Sequence, residues 1–125
     1  MHYTSWRNQD ILSLTAAQWK EHLCNPEIFD DDILGVVCYV FLQPNATSTA
    51  TDIGRAFCVH ANAVTAWNRK AAKNLYAYYH AEPPLDDRGQ NRYWNIIFDG
   101  NLDCVMDKKK HFYWVLRPNL VAAIA

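Results

Sequence analysis

The sequence has little of what marks several common protein classes. It contains four glycines among 125 residues, so it holds no glycine-rich phosphate-binding loop. Its longest apolar run, Ile33 to Leu42, is ten residues long, about half of the roughly 20 that a membrane span needs. The residues after Met1 lack the basic, apolar and small-residue order of a secretory signal. We therefore expect a cytoplasmic protein with no membrane partner.

The net charge and the spacing of the cysteines exclude two further kinds of protein. Twelve basic and thirteen acidic side chains give a formal charge of −1, which excludes a globally basic nucleic-acid-binding protein but allows a local basic face. The four cysteines are too far apart for zinc-ligand spacing (Cys24, Cys38, Cys58 and Cys104). We expect reduced thiols, most of them packed in the core, and neither a metal site nor a cofactor.

The composition is that of one globular domain spanning residues 1–125. Half of the residues are apolar, and five Trp, seven Tyr and five Phe can fill a core without a disulfide. Hydroxyl and carboxylate residues at Thr15, Asp30 and Thr49 precede apolar segments and are typical helix N-caps. The predicted fold is mainly α with a small β-hairpin, an α+β arrangement that resembles a winged helix-turn-helix. Its parts are N-terminal helices (1–44), a helix-turn-helix (49–80), a hairpin wing (91–117) and a C-terminal helix (118–125).

The segment from Thr49 to Leu75 has the layout of a helix-turn-helix. A short helix, a tight turn and a longer helix share one apolar seam, formed by Ile53, Phe57, Val59, Val64 and Trp67. Cys58 stands near the place where the turn usually has a glycine. On the long helix, predicted over 61–79, Val64, Trp67, Ala71, Leu75 and Tyr78 should form the buried face.

The opposite face of the long helix is basic. Between Arg55 and His80 the sequence has four Lys or Arg side chains and no acidic residue. Such side chains contact phosphates, and polar residues near the start of a recognition helix can reach base edges in the major groove. The alternative is an ordinary solvated helix face. The predicted nucleic-acid-binding residues of this region are Arg55, Asn62, Thr65, Arg69, Lys70 and Lys73.

Two aromatic-rich segments after the helix predict the hairpin wing. We expect strands over 91–98 and 111–116, joined by a loop that carries Lys108, Lys109 and Lys110. A basic wing tip can contact the phosphate backbone or the minor groove beside the recognition helix. Pro118 is well placed at the first position of the final helix.

These segments support a family resemblance. The stretch RYWNIIF at 92–98 and the stretch FYWVLRPNLVAAI at 112–124 resemble a module of bacterial restriction systems, which accompanies HNH-type nucleases or McrBC-type GTPases. The resemblance covers about residues 45–124. It implies a DNA-recognition domain that reads modified cytosine, with double-stranded DNA as partner and a nuclease or NTPase on another domain or subunit.

Modified cytosine could be recognised in two ways. A flipped base could stack in an aromatic pocket of Tyr93, Trp94 and Trp114, with Asn95 or Asp99 bonding its edge. A methyl group could instead contact Thr65 or Ala66 in the major groove of an intact duplex. The sequence leaves both open, and it leaves ordinary core packing open for the aromatic residues.

The sequence shows no nuclease-like cluster of carboxylates and no Cys–His or Ser–His signature, so we expect no catalytic residues. Two other functions stay open. One is a protein-interaction module on the same scaffold, anchored by exposed Tyr76 and Tyr79. The other is a small homodimeric transcriptional regulator that dimerises through its first two helices.

Overall fold

A computed structural model describes residues 10–86, 88–99 and 113–125. Within these residues the fold is mixed α and β, with five helices and one three-stranded antiparallel sheet. The helices are α1 (Ala16–Leu23), α2 (Asp31–Phe41), α3 (Ala50–Phe57), α4 (Ala61–Tyr78) and α5 (Pro118–Ile124). The strands are β1 (Thr47–Thr49), β2 (Phe98–Asp99) and β3 (Tyr113–Leu116), and a short 3₁₀ turn (Pro44–Ala46) precedes β1.

Three helices begin at the predicted caps. Thr15 forms a complete capping box with Gln18, in which each side chain accepts the other residue's backbone N–H. The Asp30 carboxylate accepts the N–H of Ile33 at 3.1 Å, and the Thr49 hydroxyl accepts the N–H of Asp52 at 3.1 Å. These bonds satisfy backbone donors that have no partner inside the helix, and they fix where α1, α2 and α3 start.

The sheet is larger than the predicted hairpin. Its strand order is β1-β3-β2, with Ser48 opposite Trp114 and Phe98 opposite Leu116. The strand β1 was not predicted, because its residues, Thr47–Thr49, are polar and follow a proline turn.

The first predicted strand, 91–98, is wrong except at its end. Residues 94–97 form turns, and Asn91 makes only an isolated bridge to Leu85. Ile96 and Ile97 are both fully buried, whereas neighbouring residues of a half-buried strand would alternate between core and solvent. The segment enters the core directly, and the aromatic and isoleucine content that suggested a strand reflects that burial.

The core lies between α2, α4 and the sheet. Val36, Val37 and Val40 of α2 pack with Val64 and Leu75 of α4, and none of them is exposed to solvent. Apolar burial of this kind supplies roughly 25 cal/mol per Å² of surface removed from water. The N-terminal helix α1 instead packs mainly against α5.

The helix α4 is buried over a wider arc than its apolar spacing predicts. Val64, Ala71 and Leu75 are buried as expected, but Asn68 and Tyr76 are buried as well. The segment 92–97 covers this second side, where the Asn68 amide donates to the carbonyl oxygen of Trp94 at 3.0 Å. Tyr78, predicted to be buried, is 51% exposed because it lies in the last turn of the helix.

The prediction that most cysteines are packed in the core is wrong for the described residues. Cys24, Cys38 and Cys58 are free thiols, as expected, but all three are exposed rather than packed in the core. In the ranges that the structure describes, no helix combines the length and the apolar character needed to cross a membrane.

Candidate nucleic-acid interface

The helices α3 and α4 are joined by a turn of three residues, Cys58 to His60. Cys58 has the left-handed backbone conformation, with φ of 59°, that glycine usually supplies at such a turn. The N–H of Val59 donates to the carbonyl oxygen of Gly54 at 2.9 Å. His60 then caps α4, because its Nδ1 accepts the N–H of Asn62 at 3.0 Å. These bonds fix the direction in which α4 leaves α3.

The residues of the predicted seam between the two helices range from fully buried to partly exposed. Ile53 and Val64 are fully buried, whereas Phe57 is 37% exposed and Trp67 is half-buried. The rings of Phe57 and Trp67 meet edge to face with centroids 6.4 Å apart, at the rim of the contact. Phe57 is therefore only partly covered, since it lies in the last turn of α3.

The outward face of α4 is a continuous stripe. Its side chains recur at three- and four-residue spacing and all are exposed, as the helical periodicity predicts. We call these residues the α4 stripe: Asn62, Thr65, Ala66, Arg69, Lys70 and Lys73. The hydroxyl of Thr65 donates to the carbonyl oxygen of Ala61 at 3.2 Å.

The basic side chains of this region differ in their partners. Lys70 Nζ lies 3.3 Å from the Asp30 carboxylate, and Arg55 lies 3.8 Å from Asp52 on its own helix. The Asp30 pKa is lowered despite the opposing effect of burial, because that carboxylate accepts the N–H of Ile33 and faces Lys70. Among the described residues no carboxylate pairs with Arg69 or Lys73, so these two cations are free to meet an anion.

Arg69 and Lys73 converge on one aromatic ring. The guanidinium carbon of Arg69 lies 5.6 Å from the ring centroid of Tyr93, and Lys73 Nζ lies 5.4 Å from the same centroid. Like charges at this helical spacing repel each other, but the negative face of the ring attracts both. Tyr93 is therefore a shared contact of two positive charges at the edge of the α4 stripe.

The cations line a cleft of about 800 Å³ between α4 and the segment 86–94. The helix contributes Thr65, Arg69 and Lys73 to its wall. The facing segment contributes polar and aromatic side chains, among them Gln90, Asn91, Tyr93 and Trp94.

The far rim of the cleft is a tight loop built on Asp86. The Asp86 carboxylate accepts the N–H groups of Arg88 at 2.8 Å and Gln90 at 2.9 Å, and its own N–H donates to the Gln90 carbonyl oxygen. The hydrogen bond from Gln90 is the main reason why the pKa of Asp86 lies below its ordinary value. Gly89 permits the turn with φ of 77°. The loop is thus held in shape by its own backbone.

The three-residue aromatic pocket does not form. Tyr93 and Trp94 line the cleft, but Trp114 is 7% exposed and packs against Phe98 with ring centroids 5.0 Å apart. Strand alternation puts Trp114 on the same inward face as Leu116, so the prediction is wrong for this residue.

The polar partners proposed for that pocket are also absent from the cleft. Asn95 is buried at 1% exposure, and Asp99 lies on β2, so neither lines it. The amides that do line it are Gln90 and Asn91. Neither amide was predicted as a site residue, because Asn91 was expected in a strand and Gln90 in a loop.

Two arginines of the segments 92–98 and 112–124, which carry the family resemblance, are buried. Arg92 and Arg117 are 2% and 5% exposed, respectively. The Arg117 guanidinium donates to the carbonyl oxygen of Asn95, which ties the start of α5 to the turn before β2. The predicted basic wing tip, Lys108 to Lys110, lies outside the described residues.

The anchors named for a protein-interaction module are not exposed. Tyr76 is 3% exposed, and burial raises its pKa to about 12. Tyr79 is half-buried and hydrogen-bonds His22 of α1. That prediction is wrong because α1 covers one of these rings and the segment near Tyr93 covers the other.

Known proteins offer no match to this arrangement. No protein-family model matches the sequence, and neither the curated proteins nor the solved structures contain a significant match. What the chain does is therefore inferred from its side chains and their geometry.

Proposed function

We propose that the chain binds double-stranded DNA through the α4 stripe. One observation carries the proposal: the stripe is exposed on the second of two helices joined by a three-residue turn, and no acidic residue occurs between Arg55 and His80. An exposed helix with this chemistry fits the major groove, which is about 12 Å wide and admits an α-helix. The net charge of −1 makes the local segregation of charge the informative quantity.

The order of elements supports a winged-helix scaffold for this interface. A strand, β1, precedes the two helices and two strands follow them, and β3 pairs with both β1 and β2. In a winged helix the wing is the connection between two strands that follow the recognition helix, and β2 and β3 follow α4 in the chain. The lysines at 108–110 would then lie in that connection and reach the phosphate backbone.

The stripe divides into two chemical halves. Asn62, Thr65 and Ala66 occupy the first turns of α4, where recognition helices contact base edges. An amide can bond a base edge, and a methyl group can pack on the methyl of thymine or 5-methylcytosine. Arg69 and Lys73 follow and would contact phosphates, which give affinity without sequence information.

The ion pair between Lys70 and Asp30 does not block this role. Its side chains are 68% and 37% exposed, and exposed pairs of this kind contribute roughly 0–1 kcal/mol. A DNA phosphate can therefore replace Asp30 as the partner of Lys70 at small cost. Arg55 and Asp52 are a still looser pair, at 3.8 Å.

Recognition of modified cytosine in a restriction system is the finer part of the proposal. It has support from the motif resemblance and from the methyl-bearing residues Thr65 and Ala66 on the exposed stripe. A nuclease or NTPase would then act from another domain or subunit.

Fluorescence anisotropy on labelled duplexes tests both parts. Matched duplexes carry cytosine, 5-methylcytosine or 5-hydroxymethylcytosine and are titrated across a salt series. A preference of about tenfold or more, near 1.4 kcal/mol, for a modified duplex supports the full proposal. Equal and steeply salt-dependent affinities support duplex binding and contradict the modified-base part. Absence of binding at low salt contradicts the proposal.

A further inference from the structure

We infer that the cleft between α4 and the segment 86–94 binds a single nucleotide unit, with its phosphate on Arg69 and Lys73 and its base against Gln90, Asn91 and Trp94. The site is separate from the base-edge contacts of Asn62 and Ala66. It also differs from the aromatic pocket expected from the sequence, because Trp114 has no part in it.

The phosphate position follows from the two unpaired cations. Arg69 and Lys73 both lie within 6 Å of the Tyr93 centroid, and no described carboxylate forms an ion pair with either of them. One anion shared by both would relieve their mutual repulsion. A phosphate is suited to this because a guanidinium binds two of its oxygens and an ammonium binds as a point charge.

The cleft has room for more than a phosphate. Its volume of about 800 Å³ lies in the range of small-molecule sites, roughly 300–1,000 Å³. The rest of the lining includes two amides and an indole, groups that can bond and stack on bases. Each amide offers both donors and an acceptor, so the edge of a base can be satisfied in full.

Asp86 adds a fixed acceptor to the same wall. Its carboxylate lines the cleft, and the backbone bonds from Arg88 and Gln90 engage one of its two oxygens. An ionised carboxylate accepts from the exocyclic amine of cytosine, adenine or guanine. Thymine and uracil lack that amine, so we expect amine-bearing bases to bind more tightly.

The nucleotide could come from two sources with the same chemistry. It could be a free mononucleotide, or it could be one nucleotide extruded from a duplex that lies on the α4 stripe. The second source rests on the proposed function, whereas the first does not. Extrusion costs a few kcal/mol in a paired duplex and less at an unpaired position, so an unpaired nucleotide is the appropriate probe.

The test compares the whole chain with the double variant Gln90→Ala, Asn91→Ala. Both residues are exposed, and the one side-chain hydrogen bond given for them is the long, exposed one from Asn91 to the Tyr93 hydroxyl at 3.4 Å, so the variant should retain the thermal unfolding midpoint. Calorimetry measures binding of dCMP, dTMP, deoxycytidine and inorganic phosphate. Anisotropy measures binding of a paired duplex and of the same duplex with one unpaired cytidine.

A nucleotide site predicts that dCMP binds at least tenfold more tightly than deoxycytidine, phosphate or dTMP, or that the unpaired cytidine strengthens duplex binding by at least tenfold. In either case the double variant should bind dCMP, or the duplex with the unpaired cytidine, at least tenfold more weakly than the wild type does, because it lacks the two amides that face the base. If the paired duplex binds and neither advantage is seen, the nucleotide inference is overturned and the proposed function stands. If dCMP binds and no duplex does, the cleft takes free nucleotides and the proposed function fails. If nothing binds, both are overturned.

Discussion

Gly54 and Val59 are in contact through their backbones. The Val59 N–H donates to the Gly54 carbonyl oxygen at 2.9 Å, and a Cβ added at Gly54 would lie only 2.7 Å from the Val59 carbonyl oxygen. The turn between α3 and α4 can close this tightly because position 54 has no side chain. The orientation of the α4 stripe therefore depends on a glycine that lies outside it.

Replacing this glycine should damage the domain. Gly54→Ala places a methyl group against backbone atoms that cannot rotate away, so the turn must open. We expect a loss of about 2 kcal/mol in the free energy of unfolding, within the usual range for steric substitutions. Urea denaturation followed by far-UV circular dichroism measures it.

Gly35→Ala is the matched control, since Gly35 is also a helical glycine. Its added Cβ would lie 3.3 Å from the ring of Phe57, which is partly exposed and can shift. Alanine also has a helix propensity about 1 kcal/mol better than glycine. We expect a change of no more than about 1 kcal/mol in either direction. Equal losses in the two variants would contradict the close approach at position 54.

Replacing Cys58 with glycine should stabilise the domain. Its φ of 59° is left-handed, which costs an L-residue roughly 1–2 kcal/mol, and glycine adopts it without that cost. After subtracting the greater chain entropy of unfolded glycine, we expect Cys58→Gly to raise the free energy of unfolding by about 0.5–1 kcal/mol.

Cys24→Gly is the control variant, and it should destabilise the domain. Cys24 is also an exposed cysteine that caps a helix, but its φ is −87° and its conformation is right-handed. Glycine gains nothing there and should destabilise the domain by about 0.5–1 kcal/mol. The account of the turn fails if both cysteine variants shift the urea midpoint in the same direction.

His22 should make the stability depend on pH. The side chain is 2% exposed, and burial lowers its pKa below the ordinary 6.5, with Glu21 opposing the shift. As pH falls through 6.5, the unfolded chain binds the proton before the folded chain does. The contribution of His22 is therefore fully present above pH 6.5 and is lost as pH falls through the folded-state pKa.

Urea titrations between about pH 8 and pH 5 measure this slope. His22→Gln should flatten it, because an amide does not titrate in the window and can still bond the hydroxyl of Tyr79. An unchanged slope in His22→Gln would show that burial of this ring is not its source.

The helices were predictable from the sequence because their caps and their apolar spacing involve residues close together in the chain. The caps at Thr15, Asp30 and Thr49 and the spacing of the α4 stripe depend on residues within one or two turns of each other. The strand β1 was not predictable in this way, because Thr47–Thr49 pairs with residues more than 60 positions away.

The cleft was predictable only in part for the same reason. Arg69 and Lys73 were found from helical periodicity, but their neighbour Tyr93 was assigned to a strand, and Gln90 and Asn91 were missed. Sequence spacing cannot show that the segment 86–94 folds back on α4. The position of this segment depends on two hydrogen bonds. The Asn68 amide donates to the carbonyl oxygen of Trp94, and the N–H of Gln90 donates to the Asp86 carboxylate.

Salt dependence of duplex binding tests the central claim most directly. The association constant of the wild type, Arg69→Glu/Lys73→Glu and the control Lys20→Glu on α1 is measured by anisotropy between about 50 and 200 mM salt. If the α4 stripe contacts phosphates, the double variant should bind more weakly and its log–log slope should be shallower by about 1.8, roughly 0.9 per lost phosphate contact. Lys20→Glu should behave as the wild type does. Equal affinities and slopes for the wild type and the double variant would contradict DNA binding through this face.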